Sequence, residues 1–121
     1  RPPVIWLNVA RLEQVKKAAV NNGFDPDAEL IDTIFHEAAH VTGHYLNRLP
    51  TATSAISSRN DILNEEAICH LVTAHLWQKI GNKPLAQLNM SEGRKAATKI
   101  GKSINALSVA TEAAINFLTS A

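Results

Sequence analysis

The run His36-Glu37-Ala38-Ala39-His40 constrains this chain more than any other stretch. In an α-helix four residues advance about 400°, so the two imidazoles project from one face, one turn apart. That is the spacing two histidines need to share one tetrahedral ion. Glu37 then sits about 100° round from His36, where it does not ligate beside both histidines but can take a proton from a water at the metal. The pattern asks for a helix, a cation and a third protein ligand from elsewhere in the chain.

The surrounding sequence supplies the helix. Asp25-Pro26 offers a cap and a first-turn proline, and the helix they start is expected to run to about Thr42, with Gly43 as its stop. Ile31, Ile34 and Ala38 lie roughly opposite His36 on this wheel, so the helix is expected to bury one side and present the histidines on the other. Upstream, Val4-Ile5-Trp6-Leu7 is a short apolar run that suits at most a small N-terminal strand, followed by helical spacing at Leu12, Val15 and Ala19 that Gly23 would end. A third helix begins near Asn60 or Asp61, with Leu63, Ala67, Leu71 and Ile68, Val72, Leu76 as its buried face and Gly81 and Pro84 as its close. The last helix is expected from Ser91, with a stripe at Ala97, Ile100, Ile104, Leu107, Thr111, Ala114 and Leu118 that packs on the domain's own core. Thr51 to Ser58, rich in Ser, Thr and Ala, reads as a flexible connection. The fold class is therefore mainly α, about four helices with at most a small β element, and 121 residues of 45% hydrophobic composition suit one domain over residues 1–121.

Charge narrows the partners. Charged residues make up 19% and the net charge is +1, so no excess of either sign announces nucleic acid, an acidic substrate or a membrane surface. Cys69 is the one cysteine, which excludes an intrachain disulfide and a cysteine-only metal cage and is compatible with a reducing compartment. No apolar stretch is long enough to cross a bilayer and no signal peptide opens the chain, so a soluble, cytoplasmic domain is expected. The start at Arg1-Pro2-Pro3 without methionine suggests a piece of a longer protein whose other domains carry part of its function.

For the third ligand, a histidine three residues after Gly43 would complete one known arrangement, but Leu46 stands there, and Met90 in Asn89-Met90-Ser91 makes no suitable methionine turn. His44 lies one turn past His40 but beyond Gly43, and reads as a polar loop residue or an alternative ligand. Asn64-Glu65-Glu66-Ala67-Ile68-Cys69-His70 resembles the ligand helix of gluzincins of the thermolysin type, in which an Asn-Glu-Ala-Ile-Ser-Asp stretch carries the glutamate ligand and an acid that orients a histidine. The resemblance implies Glu66 as ligand and His70 as its support, four residues on and on the same helix face. Glu65, directed along Cys69 and Val72, stays open as the alternative. The plain alternative for this acid pair is a solvated first helical turn.

A wider resemblance rests on Thr33-Ile34-Phe35-His36-Glu37-Ala38-Ala39-His40-Val41-Thr42-Gly43-His44. This run is similar to the signature of ArdC-type antirestriction proteins, FHExxHxTGH followed by an EELxxE helix, and Leu46-Asn47-Arg48-Leu49 is loosely similar to a basic segment after it. The likeness covers about Thr33 to Leu76. It implies a zincin-like metallopeptidase domain of a phage or mobile element, carried beside other domains in a protein that enters a host cell. The chain departs from the pattern at His70, where the family has a further glutamate, and His70 is left either as a support or as a metal contact. Single-stranded DNA binding belongs to another region of that family, so none is expected here. The expected function is a zinc peptidase acting on a protein or peptide: Zn2+ on His36, His40 and Glu66, Glu37 as general base, and Tyr45 or His75 as further groups within reach of the site. The alternatives are a zinc-structured regulatory or interaction module with little or no peptidase activity, and a plain helical bundle in which the pattern is accidental.

Overall fold

The computed structural model describes residues 8–47 and 59–120, with residues 43–47 by their backbone alone. Five helices and a short 3-10 turn account for nearly all of it, and no strand occurs among the described residues. The expected strand at Val4–Leu7 and the connection at Thr51–Ser58 lie outside them.

Local chemistry sets several of the helix ends. Helix α1 (Val9–Asn21) starts at Asn8, whose side-chain oxygen accepts the Arg11 amide, and ends ahead of Gly23, whose φ of +78° only glycine adopts without strain. Helix α2 (Pro26–Asn47) opens on its proline, with the Asp25 carboxylate accepting the Asp27 amide at 3.0 Å. It does not stop at Gly43 as expected but continues one turn further, because one glycine costs a helix only about 1 kcal/mol and ends it only when the backbone turns left-handed there. His44 therefore stays on the helix, although its side chain, like that of Tyr45, lies outside the described ones.

Helix α3 (Arg59–Ile80) is the central element, packed against α2, α4 (Lys83–Lys99) and α5 (Ser108–Thr119). Its buried residues run round most of its circumference and include Glu65, Ala67, Ile68, Cys69, Leu71, Val72, Thr73, Ala74 and Trp77. The C-terminal region corrects the sequence reading: the single long helix from Ser91 is two helices. Asn82 caps α4 by accepting the Leu85 amide, Pro84 sits in that helix's first turn rather than closing α3, and Ser91 falls inside α4. Gly101, at φ +69°, breaks the stripe before the 3-10 turn at Asn105–Leu107 and α5. The apolar rhythm runs on across this break because Ala97, Leu107, Ala114 and Ile115 all reach one core with Ala39, Ile68 and Val72.

The core mixes alanines with Ile68, Leu71, Val72, Leu107 and Ile115, and α4 approaches α3 closely at Gly93. A methyl group there would lie 3.0 Å from Leu71 Cδ2 and 3.4 Å from the Ala67 carbonyl oxygen. Leu71 is buried and has little room to move. Gly93→Val is expected to lower stability by roughly 2–3 kcal/mol through overpacking, while Gly93→Ala stays near neutral because about 1 kcal/mol of helix propensity offsets a smaller clash. Urea unfolding of the two variants checks the pair.

The orientation of α2 also departs from expectation. Ile31 is 41% exposed, whereas Ala39 and Thr42 are buried and Phe35 packs edge-on to Trp77 with ring centroids 5.2 Å apart. The packed face of α2 thus extends from the side opposite its histidines, where Thr42 is buried and Ile34 and Ala38 are half-buried, round to Phe35 and Ala39 nearer to them, and leaves Ile31 out.

Candidate metal centre

The two imidazoles of α2 meet a carboxylate of α3. His40 Nε2 lies 2.7 Å from Glu66 Oε1, His36 Nε2 lies 3.3 Å from Glu66 Oε2, and the two Nε2 atoms are 3.1 Å apart. His36, His40 and Glu66 are all half-buried and form a group that could hold a metal ion. Ligands about 2.05 Å from a tetrahedral ion stand about 3.3 Å from one another, so these atoms need only small displacements to share one. The contact between two like imidazole nitrogens also suits a cation, since at most one of them can donate to the other.

The flanking residues divide between the back and one side of this group. Glu65, 3% exposed, lies behind His40 with Oε1 3.4 Å from Nδ1, the nitrogen turned away from Glu66. Its other oxygen, Oε2, is buried without a hydrogen-bond partner among the described residues. Glu65 does lie along the line of Cys69, yet this line passes behind the histidine instead of away from the site. A carboxylate in that place orients a ligating imidazole and raises its basicity. His70 stands at the side: its Nε2 is 3.8 Å from Glu66 Oε2 and its ring is tilted against His36 with centroids 4.6 Å apart. Glu37 lies on the exposed side of α2. His75 is exposed and lines an apolar cavity with Leu71, Met90 and Ile115, which none of the centre residues borders.

Electrostatics couple these groups. Burial disfavours a charged His40, but hydrogen bonding with Cys69 and Glu66 and the charges of the same groups outweigh it and push its pKa up to about 11. Hydrogen bonds from His36 and His40 hold the Glu66 carboxyl well below the usual carboxylate range, against its burial. Burial pushes the Cys69 thiol up, against the hydrogen bond and charge of His40 that favour its ionised form.

The sign of the pH dependence follows. A raised His40 stabilises the metal-free fold fully below its ordinary 6.5 and loses that contribution as pH climbs toward about 11. A lowered Glu66 stabilises above its ordinary 4.5 and loses that contribution on acidification. A cation has to displace the His40 proton, so its affinity is expected to rise about tenfold per pH unit between roughly pH 6.5 and 8, with release of about one proton. Calorimetric titration in buffers of different ionisation enthalpy measures both.

Two residues that the sequence reading did not single out stand next to this site. Asp32 Oδ1 accepts hydrogen bonds from Trp77 Nε1 at 2.8 Å and from Asn89 Nδ2 at 2.7 Å, and Asn89 Oδ1 is 3.1 Å from His70 Nδ1. Asp32 lies one turn before His36, but no spacing rule connects it with a residue 57 positions away. Comparison of the chain with known protein families, with curated proteins and with solved structures finds no match. Among the described residues no helix is long and apolar enough to cross a membrane.

Proposed function

We propose that this chain is a zinc-dependent peptidase domain in which His36, His40 and Glu66 hold the metal and Glu37 is the general base. The observation that carries this reading is the convergence of one carboxylate and two imidazoles from two helices within 3.3 Å of each other. Two nitrogens and one oxygen are the donor set of a catalytic zinc site with one position left open. When bound, zinc supplies Lewis acidity at the scissile carbonyl and makes its water acidic enough to react near neutral pH. Glu37 takes a proton at its carboxylate and returns it to the leaving amine, a role its exposed position on α2 allows. Glu65 holds the His40 ring from behind, and the small residues packed around Ala39 and Ala67 set the distance between the two ligand helices.

The similarity of Thr33 to His44 to ArdC-type proteins supports the same chemistry, in a phage- or mobile-element protein that acts on a protein or peptide in the cytoplasm of a host cell. A second reading, a zinc-structured regulatory or interaction module, is favoured by one observation: His70 reaches within 3.8 Å of Glu66, as a fourth protein donor would.

Metal analysis combined with peptide-library cleavage separates these readings. The peptidase requires stoichiometric zinc, lost in His36→Ala and kept in Glu37→Gln, with cleavage lost in both. Zinc without any cleavage by the wild-type chain leaves the interaction module, and absence of zinc leaves the accidental bundle.

A further inference from the structure

Helices α4 and α5 both pack on α3 but scarcely on each other among the described residues. The gap between them is an apolar cavity of about 390 Å³, within the size range of small-molecule sites. Its floor is Leu71 and Ala74 of α3, and its walls are Ala86 and Met90 of α4 and Thr111 and Ile115 of α5, each pair about one turn apart on its helix. Leu71, Ala74, Ala86 and Ile115 are buried, yet the two alanines carry too little side chain to close the gap. Met90 is half-buried, and its unbranched thioether conforms readily to an apolar guest.

The α5 edge of this cavity offers hydrogen-bond acceptors. Ser108, Thr111 and Glu112 border it from one face of α5. The Ser108 hydroxyl donates to the Asn105 carbonyl at 2.9 Å and the Thr111 hydroxyl to the Leu107 carbonyl at 2.8 Å. Each has thereby used its one hydrogen, and what remains for a ligand is its lone pairs. Glu112 is exposed and makes no hydrogen bond or ion pair with another described residue. Among the described residues no lysine or arginine borders the cavity, and the amides of Gln78 and Gln87 on the other edges carry no charge. An anion there meets a carboxylate with no fixed positive charge to offset it, whereas an ammonium group brings a positive charge and three hydrogens to three acceptors. The positive end of α5, equivalent to about half a charge, is the weaker influence beside a full carboxylate.

We propose that this cavity binds a small cationic amine with an apolar body, the body on Leu71, Ala74 and Met90 and the ammonium group at Ser108, Thr111 and Glu112. The site is separate from His36, His40 and Glu66 and does not depend on their holding a metal. It gives the domain a second ligand beside the substrate of the metal centre.

The test titrates the 121-residue chain with phenylbutylamine, phenylbutanol and phenylbutyrate, read by backbone amide NMR shifts at about pH 8, above the ordinary range of histidine ionisation. Phenylbutylamine is expected to shift the amides of Leu71, Ala74, Met90 and Ile115 with a Kd of about 0.1–1 mM, the reach of a ligand of roughly eleven heavy atoms. Phenylbutyrate is expected to bind at least about fivefold more weakly, with phenylbutanol between the two. Glu112→Gln is expected to bring the amine to the level of the alcohol, and because the residue is exposed the fold is kept. Ala86→Leu is expected to fill the cavity and abolish binding of all three, with a thermal melt showing that the variant folds. Equal affinity of amine and carboxylate in the wild type, or an amine preference that survives Glu112→Gln, overturns the proposal. So does binding unchanged in folded Ala86→Leu, or the absence of shifts at those four amides up to about 10 mM phenylbutylamine.

Discussion

Glu37→Gln is expected to lower peptide hydrolysis by about 10²–10⁴-fold while zinc content and melting temperature stay at their wild-type values. The size of the loss is that of a proton acceptor acting in the transition state: glutamine keeps the shape and hydrogen-bonding reach of the side chain and gives up its basicity. The selectivity follows from position. Glu37 is exposed on α2 and makes no hydrogen bond or ion pair with another described residue, so its exchange removes no packing and leaves no buried group without a partner. It also lies outside the group of three ligand atoms. The measurement is kcat/KM on a cleaved peptide, beside zinc analysis and a thermal melt of the same sample. Unchanged turnover in Glu37→Gln would dismiss the general base and with it the hydrolytic reading.

The largest effect on stability is expected from Trp77→Ala, a loss of roughly 3–5 kcal/mol and a melting temperature lower by about 10–20 °C. Trp77 is 3% exposed and anchors a second apolar cluster with Leu85 and Ala86, against which Phe35 and Ala28 pack. Its removal opens a cavity between α2, α3 and α4. It also takes one of two donors from Asp32 Oδ1, leaving Asn89 alone on that oxygen. Trp77→Phe separates the two contributions: it keeps most of the apolar volume, so its cost is expected to be about 1.5–3 kcal/mol, the worth of one hydrogen bond to a charged group. Denaturant unfolding of both variants measures the difference. Equal losses in the two would show that the hydrogen bond, and not the volume, makes Trp77 costly to replace.

The helical nature of the chain was legible because its signals are local. Asp25-Pro26, Gly23 and Gly81 act on their own backbone and need no partner, and the helices begin or end beside them as their chemistry requires. Gly43 and Gly101 show the limit. Both are glycines in a helical pattern, yet α2 runs through the first while the chain breaks at the second, at φ +69°. A single glycine changes helix stability by only about 1 kcal/mol, and packing outside the window decides which way it goes.

The candidate site divides in the same way. The sequence alone determined that His36 and His40 share a helix face and that Glu37 does not, because helical pitch is a property of consecutive residues. It also brought forward Glu65, Glu66 and His70 as the acids and imidazole of a second helix. Tertiary structure alone decided their parts: Glu66 reaches both histidines, Glu65 lies behind His40, and His70 is turned by Asn89 and Asp32. It alone extended the packed face of α2 round to Ala39, nearer the histidines, and left Ile31 exposed. The physical reason is common to these outcomes: rotation of one helix against another is set by side chains far apart in sequence, and no periodicity within either helix encodes it.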